Sequence, residues 1–200
     1  MRSRLVWGMS SRFPGWAACS LLWVALVLVC APVAGAKVFL SQDEALELAF
    51  PGADRVEEEV FILTSVQKQA IEKLSRTELE SELATFYSGF KGEELLGYAF
   101  IDIHTVRTLP EAFMVVLEPD GSVRSLHVLA FYEPTDYMPT KRWYRQFNGK
   151  SLSDSMRVGR DVHGVVGATL STHAVARSVR KVLATYEVLI ASPGRKPAQQ

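Results

Sequence analysis

One hairpin constrains this chain more than any other feature. Ala112-Phe113-Met114-Val115-Val116-Leu117-Glu118 is an apolar, β-prone run. It ends in Pro119-Asp120-Gly121, where Pro presets φ and Gly accepts a positive one. Val123, Leu126 and Val128 through Phe131 then make the return strand. Upstream, Leu95 to Ile103 reads as a further strand. Strands joined by tight turns pair antiparallel, which excludes an all-helical chain and a doubly wound parallel sheet.

Helical signals flank this block. Ser41-Gln42-Asp43-Glu44 is a capping box leading into Ala45 to Phe50, and Pro51-Gly52 stops that helix. Thr64 caps a second helix through Val66, Ile71 and Leu74, and Thr77 to Leu83 is expected to form a third. Pro139 to Phe147 reads as a short helix carrying Trp143 and Phe147. The strongest helix pattern begins at Ser171, with Ser171 or Thr172 as N-cap. Val175, Val179, Val182, Leu183, Tyr186 and Leu189 recur along it at three- and four-residue spacing. The expected class is α+β: an antiparallel sheet with flanking helices, one domain.

The first 36 residues are of another kind. Arg2, Arg4 and Arg12 precede an apolar run from Ser20 to Ala31 and the small-residue exit Ala34-Gly35-Ala36. This describes a secretory signal peptide cut after Ala36, with an uncleaved anchor as the alternative; Met9 serves equally as a start. The run is shorter than the roughly 20 residues a spanning helix needs. Residues 37–191 then form the domain and 192–200 a frayed tail. The compartment implied is the periplasm or the outer face of the cytoplasmic membrane. Both cysteines, Cys19 and Cys30, fall in the leader, so the domain has no disulfide or thiol chemistry and any redox role needs a cofactor. Residues 37–200 hold 19 basic and 22 acidic residues, a net of −3, which argues against nucleic acid as a partner.

Chemistry concentrates in His163-Gly164-Val165-Val166-Gly167-Ala168-Thr169-Leu170-Ser171-Thr172. Gly167 and Ala168 leave little bulk beside Thr169, so a large group has room to approach its hydroxyl. A tight turn feeding a helix N-terminus also offers free N–H groups and a positive dipole end, an anion site for phosphate above all. The plainer reading is a strand-to-helix connection with a capped helix.

Gly167-Ala168-Thr169-Leu170-Ser171 resembles the Ser/Thr-Gly-Ala-Thr-x-Ser/Thr signature of the FMN-binding domain family. That family includes subunits of the Rnf complex and of the sodium-pumping NADH:quinone oxidoreductase, and small exported flavoproteins. The segment Lys37 to Leu40, the stretch from Ala49 to Gly52, and Glu133-Pro134 followed by Trp143 and Gln146-Phe147 are similar to small exported members. The resemblance implies FMN esterified through its phosphate to Thr169 by an exported flavin transferase. Gly167, Ala168, Leu170, Ser171, Val166 and His163 would lie around the phosphate, and Glu133 near the flavin. Two residues depart from the signature: His163 stands where the family has Asp, and Val166 where it has Ser or Thr. Trp143 reads as a core anchor or a cover for the ring. Phe131, Tyr132, Tyr137 and Tyr144 read as a pocket wall or as ordinary core.

Among the histidines His104, His127, His163 and His173, none forms an i, i+4 pair and no cysteine supports them, so no metal site is expected. His127 reads as a surface or satisfied core residue. No nucleophile elbow or P-loop appears, and no catalytic acid or base stands out. The function implied by the resemblance is an exported electron carrier, not an enzyme, serving redox partner proteins or a membrane electron-transport complex. The competing classes are a non-redox binding or assembly module and, third, a direct flavin reductase.

Overall fold

In the computed structural model, residues 37–192 are described. The expected leader and most of the frayed tail lie outside the described residues. Six strands form one antiparallel sheet in the order β1-β6-β5-β4-β3-β2. They are β1 (Lys37–Val38), β2 (Arg55–Ile62), β3 (Leu83–Lys91), β4 (Glu94–Thr105), β5 (Pro110–Leu117) and β6 (Val123–Phe131). Four helices flank them: α1 (Gln42–Ala49), α2 (Ser65–Ser75), α3 (Lys141–Tyr144) and α4 (Thr169–Tyr186). The expected α+β class is the one observed.

Both sheet faces are covered, which is why β5 reads as an unbroken apolar run rather than an alternating one. On one face Phe113, Val115 and Leu117 pack with Phe86, Phe100 and the inner side of α4, including Val175, Val179, Val182 and Leu183. On the other, Met114 and Val116 pack with Ala45 and Ala49 of α1 and with Phe50, its C-cap. Both expected capping boxes are present: Ser41 with Glu44 and Thr64 with Gln67.

The hairpin turn forms as its residues dictate. Gly121 takes φ +84, and a Cβ there would meet the Tyr186 ring at 2.1 Å, while the Tyr186 hydroxyl donates to the Pro119 carbonyl at 3.1 Å. The turn is thus docked against the end of α4.

Two expectations fail. Thr77 to Leu83 is not a helix but an irregular reversal into β3. Arg76 caps α2 at φ 59, the left-handed conformation that ends a helix, and the Glu72 side chain then accepts from the Leu79 N–H at 3.0 Å. The last helix begins two residues earlier than expected, at Thr169. Neither Ser171 nor Thr172 is its N-cap: Ala168 holds that position, and both hydroxyl residues lie buried within the first turn. The order of elements is also richer than helices, then strands, then helices, because β1 and β2 alternate with the first helices. β2 is an edge strand exposed along most of its length, so it lacks the apolar pattern that marks a strand.

Candidate functional site

The Gly167 segment is a tight turn delivering the chain into α4. The Ala168 N–H donates to the Val165 carbonyl at 3.1 Å, with Val166 and Gly167 as the central residues. Gly167 takes φ +85, as the third position of a type II turn requires. Nothing lies within 4 Å of a Cβ placed on it. Its requirement is therefore conformational. Ala168 is buried at 2% exposure, so its small side chain fits the core and does not clear space outside, a correction to the reading of both residues as making room.

Thr169, the first residue of α4, is exposed. No side chain caps the helix, so the N–H groups of Thr169, Leu170 and Ser171 have no helical acceptor. Val166 and Leu170 are exposed apolar residues on either side of this start. Ser171 is buried, and its hydroxyl has no hydrogen-bond partner among the described residues. The helix start combines an exposed hydroxyl, unpaired donors and a positive dipole end.

The approach to the turn is fixed from α3 and the 3-10 turn that follows it, Arg145–Phe147. Trp143 donates its indole N–H to the His163 carbonyl, and the His163 N–H donates to Gln146 Oε1 at 2.8 Å. Both backbone polar groups of His163 are thereby held while its side chain points outward, exposed. Trp143 itself is buried in the core, edge-to-face with Tyr144 and Phe147. It is a core anchor that also clamps the loop. The two departures from the signature thus fall on an exposed side chain and an exposed turn position.

Glu133, expected near the flavin, has its carboxylate engaged by a neighbouring loop. It is buried, and Oε1 accepts from the Thr108 N–H (2.8 Å), the Leu109 N–H (3.0 Å) and the Thr108 hydroxyl. The Thr108 N–H above all, with Leu109 and the Arg107 charge, holds its pKa below the ordinary carboxylate range. These bonds fasten the 106–109 loop. Of the aromatic group, Phe131 packs with Val106 and Ala174, Tyr144 sits in the main core, and Tyr137 lies half-buried beneath the Arg107 guanidinium. His127 is half-buried and pairs with Ser125 at 2.9 Å.

Sequence reading missed a buried polar chain under α4. Asp102 of β4 pairs with Lys181 Nζ at 2.6 Å, with the Ser178 hydroxyl, and with His104 Nδ1 at 3.2 Å. His104 Nε2 in turn lies 3.3 Å from Glu111, its cross-strand partner on β5, which is fully buried. Burial would raise the Asp102 pKa, but His104, Lys181 and Ser178 outweigh it and hold the carboxyl at about 2. Burial lowers the His104 pKa and the two carboxylates overcome that, leaving it raised. The buried Tyr144 phenol is pushed up by burial and by the Glu111 charge. The available signal was Asp102 and His104 two apart on one face of an otherwise apolar strand. Among the described residues no group of three or more His, Cys, Asp or Glu is arranged to hold a metal.

No family model matches the chain. Over 206 aligned positions, covering 94% of this chain, it is 25% identical to the Regulatory protein NosR of Stutzerimonas stutzeri. The similarity is distant. The chain spans about a quarter of that relative's length (25%). Among the described residues no helix is long and apolar enough to cross a membrane.

Proposed function

We propose that this protein is an exported flavoprotein that carries electrons, with FMN attached through a phosphoester to the Thr169 hydroxyl. The supporting observation is the position of Thr169: exposed, first in α4, directly after the Gly167 turn, with uncapped N–H groups around it. These residues fit a phosphate monoanion. Thr169 would supply the oxygen, and the backbone N–H groups of Thr169, Leu170 and Ser171 would donate to the remaining phosphate oxygens. Val166 and Leu170 present apolar surface against which a planar ring would pack. FMN, when bound, supplies one- and two-electron redox chemistry. The chain's part is to hold the phosphate, set the ring's surroundings and present an edge to a partner. Maturation would need a flavin transferase, and the acceptor and donor would be redox proteins or a membrane electron-transport complex. In this reading the protein acts as a carrier of electrons between partners.

Intact mass of the exported protein, made in a host with a periplasmic flavin transferase, tests the reading. The expected outcome is a gain of one FMN less one water, absent in Thr169→Ala. Unmodified protein that holds no flavin after purification would overturn it.

A second reading is a binding or assembly module of a larger membrane complex without redox chemistry. It is favoured by the likeness to a protein described as regulatory, of which this chain matches only a quarter. Flavin-free protein that still associates with a membrane complex would select it.

A further inference from the structure

A cleft of about 630 Å³ opens between the end of α2, the 153–158 segment and the outer face of α4. Arg76, Arg157, Arg177 and Arg180 line it, with His173 beside them and Asp154 as the acidic residue in the lining. The Asp154 carboxylate is already engaged, accepting from the Ser151 N–H at 2.7 Å and its hydroxyl at 3.1 Å. Arg157 has Asp161 as its nearest carboxylate, at 3.7 Å.

Arg180 is fixed across the cleft. Its Nε donates to the Leu74 carbonyl (3.2 Å) and its Nη1 to the Asp154 carbonyl (3.3 Å), bonds that use two of the five donors a guanidinium carries. Burial and the like charge of Arg76 both lower its pKa, and among the described residues neither guanidinium is in an ion pair with a carboxylate. Arg76 is also the one non-glycine residue with positive φ among the described residues. A helix cap in that conformation is ordinarily glycine, and an arginine there keeps a guanidinium at the cleft at the expense of local backbone strain. These cations converge in a domain whose overall charge is negative.

We propose that this cleft binds a small, multiply charged oxyanion of the phosphate or carboxylate class. Guanidinium forks match such anions in two-bond geometry. The volume falls within the range of small-ligand sites, roughly 300–1,000 Å³. Thr169 and His173 are one turn apart on α4, so the cleft begins where the flavin surface ends, yet the two sites use different groups.

Calorimetric titration of the full-length exported protein with pyrophosphate, and separately with citrate, tests the proposal. Arg76→Gly removes the charge and relieves the backbone, so it is expected to keep or raise Tm while weakening binding about tenfold, the size of one charge-assisted bond. Arg157→Gln is expected to weaken binding in the same direction, and Thr169→Ala to leave it unchanged. Wild-type affinity in Arg76→Gly, or loss of binding in Thr169→Ala alone, would overturn the proposal by moving the anion to the start of α4. Binding to phosphatidylglycerol vesicles without binding to either small anion would also overturn it, in favour of a membrane surface.

Discussion

His104 stands between two carboxylates, Asp102 at 3.2 Å and Glu111 at 3.3 Å. Its folded-state pKa is raised above the ordinary 6.5. The stability it contributes is therefore complete below about pH 6.5 and is lost as pH rises through the folded value. Denaturant midpoints followed by Trp143 fluorescence should show wild type losing stability above that pH relative to His104→Gln. Parallel pH profiles for the two proteins would sink this account. Gly167 makes a second residue-scale case. At φ +85, Gly167→Ala should cost about 1 kcal/mol by backbone strain alone, since no neighbour crowds the new methyl. If FMN is attached as proposed, the same change should lower the yield of flavin-modified protein, because it disturbs the turn that presents Thr169. Undiminished modification would mean that the turn is not part of what the transferase needs.

At the scale of elements, α3 matters out of proportion to its four residues. Trp143 of α3 and Gln146 of the single turn that follows it (Arg145–Phe147) hold both backbone groups of His163 and so set where the turn begins. Trp143→Phe keeps most of the buried ring and removes the donor. It should cost about 1 kcal/mol and raise amide exchange across 159–168 more than in the sheet. Uniform change over the whole domain would argue that the ring, and not the hydrogen bond, is what counts. Helices α1 and α2 were legible from their capping boxes and α4 from its apolar spacing, because these are local properties. The third expected helix failed for a nonlocal reason. Glu78 to Leu83 has helix-compatible composition, but Arg76 turns left-handed and the segment is drawn into β3, where Leu83 pairs with Ile62.

For the whole molecule, the buried chain from Glu111 through His104 and Asp102 to Lys181 ties α4 to the middle of the sheet. Lys181→Ala leaves Asp102 and Glu111 with His104 as their remaining cationic partner, and should cost about 3 kcal/mol. Because α4 also carries Thr169 at its first position, its loosening should be felt at the site. A loss well under 1 kcal/mol in urea unfolding would show that Ser178 and water replace the lysine. Sequence alone determined the antiparallel hairpin, the first two capped helices, the α+β class and the tight turn before Thr169, since each rests on residues close together in the chain. Only the tertiary structure decided that Ala168 and not Ser171 begins α4, that Glu133 fastens a loop, and that Asp102, His104, Glu111 and Lys181 meet. Those outcomes depend on burial and on pairings between strands and helices far apart in sequence, where the cost of an unpartnered buried charge selects the arrangement and no local pattern records it.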